Sequence, residues 1–326
     1  MSRKRQVRVL GLLAGAALLA FVIWHSDPAE VGAQLAQLGP SALWLCAVAL
    51  VWRVAAGTGL WLIARERGVG WIHAVLIRMA GESLNTLTPF FNLGGEPVKA
   101  MMLTRYAPIA ESSAVVVLDK TAFWIASMLF MGSGILAGPF VLDLAPIIWA
   151  ASFALLLAWI VGSVWFVRMQ ARGGLAFAVG RLLGAIRVRL SDATHERLDA
   201  ADATLSDFWK RHRAVFVMAV LAHLVGRVAR TFDIAVAAWL IGVPLGLGDA
   251  YFIAAVAMGV NMVFIFLPGA LGAAEGGHAV LFELFGFAAA EGLTVALLRR
   301  ARTLVMAILT TPLLFVYRPR ATRDVS

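Results

Sequence analysis

Residues Gly81 to Arg105 read GESLNTLTPFFNLGGEPVKAMMLTR, and this stretch decides the fold. An apolar, helix-like arm starts at Trp71, breaks at Pro89 and the Gly94-Gly95 pair, and resumes at Glu96 as a second, amphipathic arm. Proline removes a backbone donor and glycine has poor helix propensity, so a helix running through here must stop. A second stretch has the same build: Asn261 to Phe285 reads NMVFIFLPGALGAAEGGHAVLFELF. In apolar surroundings, broken backbone is tolerated only where it is buried in protein or lines a wet cavity. Both stretches therefore read as re-entrant hairpins, over residues 71–106 and 249–286.

The two hairpins resemble each other. Asn85 precedes Pro89 and Glu96 as Asn261 precedes Pro268 and Glu275, and proline to glutamate is seven residues in both. The glycines differ in placement, with Gly94 and Gly95 in one and Gly269 and Gly272 in the other. Downstream, VVVLDKTA around Asp119 and Lys120 parallels VALLRRAR around Arg299, Arg300 and Arg302.

The rest of the chain sets this pair in a membrane. Of its 326 residues, 61% are hydrophobic and 14% charged, with a mean hydropathy of +0.85, too apolar to supply the surface of a water-soluble domain. Apolar runs at 8–24, 41–64, 112–136, 146–167, 214–241 and 291–317 are candidate spans, since crossing ~30 Å of hydrocarbon takes roughly 20 helical residues. The net charge of +9 does not point to nucleic acid, because the basic residues collect on one side of these spans. Arg3, Lys4, Arg5 and Arg8, the Arg65 and Arg67 pair, the loop from Arg168 to Arg213, and Arg318, Arg320 and Arg323 alternate with loops at 25–40, 137–145 and 242–250 that hold no lysine or arginine. By the positive-inside rule both termini and the central loop are cytoplasmic. No small-x-small cleavage site follows Trp24, so the first run reads as a retained helix. The single cysteine, Cys46, lies in an apolar run and supports neither an internal disulfide nor a cysteine metal site.

The expected fold is thus all-α and polytopic, with about six spanning helices and two re-entrant hairpins arranged as an inverted repeat, because the charge-derived topology opens the hairpins to opposite sides. Residues 1–30 would hold the N-terminal span, 41–170 the first repeat, 171–213 a cytoplasmic amphipathic linker and 214–318 the second repeat. In the linker, Leu182, Ile186, Val188 and Leu190 interleave with Arg181, Arg187 and Arg189, which suits either a helix on anionic headgroups or a solvated connector.

Charges within apolar runs are the candidate functional residues. Arg53, Glu82, Lys99, Asp119, Lys120, Arg227, Arg230, Asp233, Arg299, Arg300 and Arg302 join Glu96 and Glu275 there. Each costs a few kcal/mol at the bilayer centre even on the mildest scale, so each must pair or face water. One reading is that they only pair and hold helices together. The other is a hydrated cationic cavity for an anionic lipid headgroup, lined by Arg53, Lys99, Arg105, Lys120, Arg227, Arg230, Arg299 and Arg302, with Asp119, Asp233 and Arg300 as charge partners. Arginine forks and the N–H groups at a broken helix end both suit phosphate oxygens.

The Asn85–Arg105 stretch, the PGALGAAE string at Pro268–Glu275 and the polytopic layout resemble the flippase-like family, the transmembrane domain of lysylphosphatidylglycerol synthases and its stand-alone relatives. The resemblance covers about residues 5 to 318. It implies binding and translocation of phospholipids or of polyprenyl- or polycyclic-lipid products across the bacterial inner membrane, and the GGEPVK string is similar to a subgroup associated with hopanoid-lipid biosynthesis. By that likeness Gly94, Gly95 and Glu96 match one family motif and Pro268, Gly269, Gly272 and Glu275 the other. Asp119, Lys120, Arg299, Arg300 and Arg302 match the charged helix starts. The synthases carry an aminoacyl-transfer domain after the membrane part; here nine residues follow Tyr317, so lysyl transfer is not expected of this chain.

An enzyme remains the other class to weigh, with Glu96 and Glu275 as an acid/base pair near His278 or His223. No nucleophile elbow, HExxH pair, Walker loop or dinucleotide fingerprint appears, and no cofactor or metal is implied. A lipid-binding assembly factor for a biosynthetic pathway is the third. The expected function is binding and flipping of an anionic or isoprenoid-derived lipid, without catalysis. Membrane lipids are the expected partners, nucleic acid is not, and homo-oligomerisation is left open.

Overall fold

The structure, a computed structural model, describes residues 39–87, 94–185, 191–263 and 273–316. Pro89, Pro268, Gly269 and Gly272, and the expected span at 8–24, lie outside the described residues. Within them the chain is helical and has no strand. In chain order the helices are α1 (Leu43–Ala64), α2 (Trp71–Leu87), α3 (Glu96–Leu103), α4 (Ile109–Ala137), α5 (Pro146–Ala171), α6 (Leu175–Ala185), α7 (Asp192–Arg211), α8 (Arg213–Leu240), α9 (Leu247–Val263), α10 (Ala273–Leu284) and α11 (Ala289–Thr310).

Among the described residues, four helical segments are long and apolar enough to cross a membrane: Gly39–Arg67, Ile109–Phe140, Pro146–Ala171 and Arg213–Leu240. The protein is therefore a multi-pass membrane protein. Among the six expected spans, 291–317 corresponds to α11, whose Arg299, Arg300 and Arg302 keep it out of this apolar set. The side chains on α5 bear out a hydrocarbon environment: Ile147, Leu157, Val161 and Trp165 are all exposed, a face that water would not tolerate on this scale.

The helix ends follow local chemistry. Pro108 precedes α4 and Pro146 opens α5, where a missing N–H costs nothing. Glu111 and Glu291 each stand in the first turn of their helices, α4 and α11, where a carboxylate complements the helix dipole. Glu291 also accepts a hydrogen bond from the Ala288 N–H at 2.9 Å. The turn from α10 into α11 is made at Gly286, whose φ of 81° few other residues adopt.

The chain divides into two compact units. One comprises Val51–Met79, Glu96–Ala229 and Leu313–Ser326 and is centred on α4, which packs against α3, α5 and α7. Helix α7, the polar half of the linker, buries Leu205, Phe208 and Trp209 and packs on both α4 and α5. Its Asp202 accepts a hydrogen bond from the Ala176 N–H at 2.8 Å, which caps the start of α6.

The other unit comprises Met1–Leu50, Ala80–Gly95 and Arg230–Pro312, and in it α10 packs against α9 and α11. Backbones approach closely at two glycines of this unit. A Cβ on Gly95 would lie 1.9 Å from the Gly81 carbonyl oxygen, and one on Gly292 would lie 2.5 Å from that of His278. Only hydrogen fits at either place. Asn85 Oδ1 accepts from the Gly95 N–H at 2.7 Å and so ties the far side of the first break to α2.

Candidate functional site

Each unit holds a cluster of buried charge, built around a long helix, α4 in one and α11 in the other. In the α4 unit the centre is Asp119, fully buried on α4. Arg78 of α2 forms an ion pair with Asp119 Oδ2, and Lys99 Nζ of α3 lies 3.4 Å from the same oxygen. His223 Nε2, on α8, lies 2.9 Å from Oδ1. His223 reaches it because Gly59 has no side chain: a Cβ there would fall 2.6 Å from that ring nitrogen. Glu96 forms a second centre, with Lys99 Nζ at 2.5 Å and Lys120 Nζ at 3.1 Å. Phe123 offers its ring to Arg227 at 3.9 Å and to Arg78 and Lys120 at 5.1 Å, and His223 meets it edge-on.

This cluster has a sealed interior and an open edge. The side chains of Lys99 and Asp119 have no accessible surface, whereas Glu96 and Lys120 keep 12% and 13%. Among the described residues of the cluster, the formal cations Arg78, Lys99, Lys120 and Arg227 outnumber the carboxylates Glu96 and Asp119. Lone charges buried this deeply would be prohibitive, and mutual pairing is what makes them tolerable.

In the α11 unit the arrangement is related but rewired. Asp233 of α8 accepts from Arg299 Nε at 2.8 Å and from Arg302 Nη1 at 2.5 Å. Arg299 also donates through Nη1 to His278 Nε2 at 2.5 Å. An arginine can only donate, so that histidine nitrogen accepts and the ring proton, if single, sits on Nδ1. Arg300 forms an ion pair with Glu275, the hairpin glutamate.

Most of the sequence-derived candidates thus enter one cluster or the other. Lys99, Lys120, Arg227, Glu96 and Asp119 meet in the first, and Arg299, Arg300, Arg302, Asp233 and Glu275 in the second. Arg53 is buried with its guanidinium over the Trp52 ring at 4.3 Å, and Arg105 is exposed at the end of the first hairpin. Arg230 is part-buried on α8 in the α11 unit, Gly94 stands in the turn before α3, and Asn261 lies in the last turn of α9. Sequence reasoning passed over Arg78 and Phe123. Arg78 carried the same signal as the others, an arginine inside the apolar run WIHAVLIRMA; nothing in the sequence marked Phe123 out from the other aromatic residues. Among the described residues no group of His, Cys, Asp and Glu is placed to hold a metal ion.

A chain of apolar spanning helices carrying two such clusters defines a membrane-embedded polar site, and comparison with known proteins assigns the class. The family model described as the lysylphosphatidylglycerol synthase TM region matches residues 8–310, nearly the whole chain, and the protein belongs to that family. No curated protein and no solved structure matches it.

Proposed function

We propose that the protein binds anionic or isoprenoid-derived membrane lipids and moves them between the leaflets of the bacterial inner membrane, as a carrier and not as an enzyme. The observation that carries this reading is the excess of cations held inside apolar helices, with an ion pair at each cluster's edge that keeps partial access. A carboxylate-dominated site would repel phosphate, and a site made only to fasten helices would balance its charges. The family's association with a phospholipid synthase supports a lipid as the ligand.

An internal repeat is the natural frame for such a carrier. Helices α2 and α9 are each 17 residues long, and among the described residues each is followed by a short helix, a turn and a long helix. Lys120 and Arg300 both stand eleven residues after the first residue of their helices, Ile109 and Ala289, and each pairs with its own hairpin glutamate. A shift one residue shorter matches Lys99 with His278, each three residues after that glutamate. We infer that the two halves are repeats and, from the distribution of basic residues, that they are inverted with both termini cytoplasmic.

The functional test is a lipid-movement assay on purified protein in liposomes, using a fluorescent anionic phospholipid and a dithionite-type quencher. Accelerated exchange between leaflets is expected, and no acceleration with folded protein would remove the carrier reading. Orientation is tested with cysteines at Phe140 and Ser191 in a Cys46→Ala background. An impermeant thiol reagent added to intact cells should label Phe140→Cys, and Ser191→Cys only after the membrane is opened.

A further inference from the structure

We propose that the cleft between α4 and α5 is a binding site for the hydrocarbon chain of an anionic membrane lipid whose headgroup docks beside Lys120. This inference rests on the reading of the protein as one that handles anionic lipids, and it adds where the apolar part of the ligand goes. The two helices are tight near their connecting turn. A Cβ on Gly138 would strike the Trp149 ring at 2.1 Å, and one on Gly132 would lie 3.2 Å from Leu156. Further along they part, and a cavity of about 340 Å³ opens between Trp124 on one side and Leu155, Trp159, Gly162 and Phe166 on the other. The last four recur at helical spacing and form one face of α5. Thr121 lines the cleft too, and its hydroxyl accepts from Gln170 Nε2 at 2.9 Å, a bond that joins the two helices there.

Three observations point to a lipid chain as the occupant. Both walls belong to helices apolar enough to span a membrane, so the medium outside the cleft is hydrocarbon. Trp124 and Leu155 remain 37% and 44% exposed, so the cleft opens to that medium. Lys120 precedes Trp124 by one helical turn on α4, and it is the cation at the accessible edge of its cluster. A single amphiphile can therefore place its negative group at Lys120 and its chain against Trp124; an uncharged lipid lacks the first contact, and a zwitterionic one brings a cation beside its phosphate that weakens it. The volume lies within the range that holds small organic ligands.

Gly162 makes the proposal testable without damaging the fold. A Cβ built there meets nothing within 4 Å, so a large side chain can fill the cleft. The probe is a phosphatidylglycerol with a diazirine in its acyl chain, photolysed in liposomes containing the full-length protein, with labelled peptides mapped by mass spectrometry. Label is expected on α4 and α5 around Trp124 and Trp159, competed by unlabelled phosphatidylglycerol and not by phosphatidylcholine. Gly162→Phe should abolish it at unchanged melting temperature, whereas Val161→Phe, on the neighbouring exposed face, should leave it intact. Label that survives Gly162→Phe, or that phosphatidylcholine competes away equally, overturns the proposal. A chain-to-chain disulfide formed by Gly162→Cys in the Cys46→Ala background also overturns it, because the cleft is then a contact between copies. Lipid movement measured on the same liposomes separates the two readings: specific label without movement removes the carrier, and movement without label removes only the cleft.

Discussion

The two charge clusters carry opposite charge at the same distance from the start of their helices. Asp119 and Arg299 each stand ten residues after the start of their helices, so one position holds a carboxylate in the α4 unit and a guanidinium in the α11 unit. Around Asp119 the partners are cations and a histidine, while around Arg299 they are Asp233 and a histidine that accepts. Helix α8 supplies the matching group in both cases, His223 for the first and Asp233 for the second. What persists is the adjacent position, where Lys120 and Arg300 each hold a hairpin glutamate. The central charge thus differs in sign between α4 and α11, while in each case the next residue pairs with a glutamate of the preceding short helix.

The largest effect should come from removing the sealed acid. Asp119→Leu takes the shared carboxylate from Arg78 and His223 and leaves Lys99 with Glu96, and breaking a buried pair by deleting one partner costs about 3–5 kcal/mol. Asp233→Leu should cost less, because Arg299 retains His278 and has partial access to solvent. Thermal unfolding of both variants in the same detergent decides it. If Asp233→Leu loses as much as Asp119→Leu, the remaining histidine partner of Arg299 does not compensate for the lost carboxylate.

Steric tests come next. Gly95→Ala drives a methyl into the Gly81 carbonyl, backbone against backbone, and should lose about 1–3 kcal/mol as overpacking does. Gly292→Ala, against the His278 carbonyl, should lose less because its built contact is longer. Gly162→Ala is the control: with open space around it, it should be neutral or stabilise by up to about 1 kcal/mol.

The staples themselves can be measured by double-mutant cycles. Glu96→Gln with Lys120→Met, and Glu275→Gln with Arg300→Met, should each give a coupling energy of about 0.5–3 kcal/mol. Similar couplings would support the repeat, since the same register would then do the same mechanical work in both halves. Coupling in one half and none in the other would reduce the register match to coincidence.

How much of this was legible beforehand depends on the type of signal. The Gly94-Gly95 pair announced the start of α3 at Glu96, because paired glycines act locally, while Pro89 lies outside the described residues. The paired glutamates and the bases downstream were visible as spacing alone, and the Arg300–Glu275 and Lys120–Glu96 pairs fall on those residues. What the sequence could not give is which helix completes each centre. His223 meets Asp119 across 104 residues and Asp233 meets Arg299 across 66, and no local pattern encodes such pairings. Helix α7 lies within the expected amphipathic linker, and which neighbours cover its apolar face was likewise not legible. Leu205, Phe208 and Trp209 on one face are buried against its neighbours.

The smallest expected effect is also the one that bears most directly on function. Lys120→Arg and Arg300→Lys keep the charge at the matched register, and each should change stability by no more than about 1 kcal/mol. If the two positions only fasten hairpin glutamates, neither substitution should alter lipid binding, because either base can hold a carboxylate. If they also meet a phosphate, the exchange is not symmetric. A guanidinium presents a planar fork to two oxygens, whereas an ammonium acts as a compact point charge. Arg300→Lys should then weaken phosphatidylglycerol binding, and Lys120→Arg should preserve or strengthen it. Binding and melting temperature measured on the same preparations separate these outcomes. Equal affinity in both variants would leave the pairs as structural staples and move the headgroup site elsewhere in the clusters.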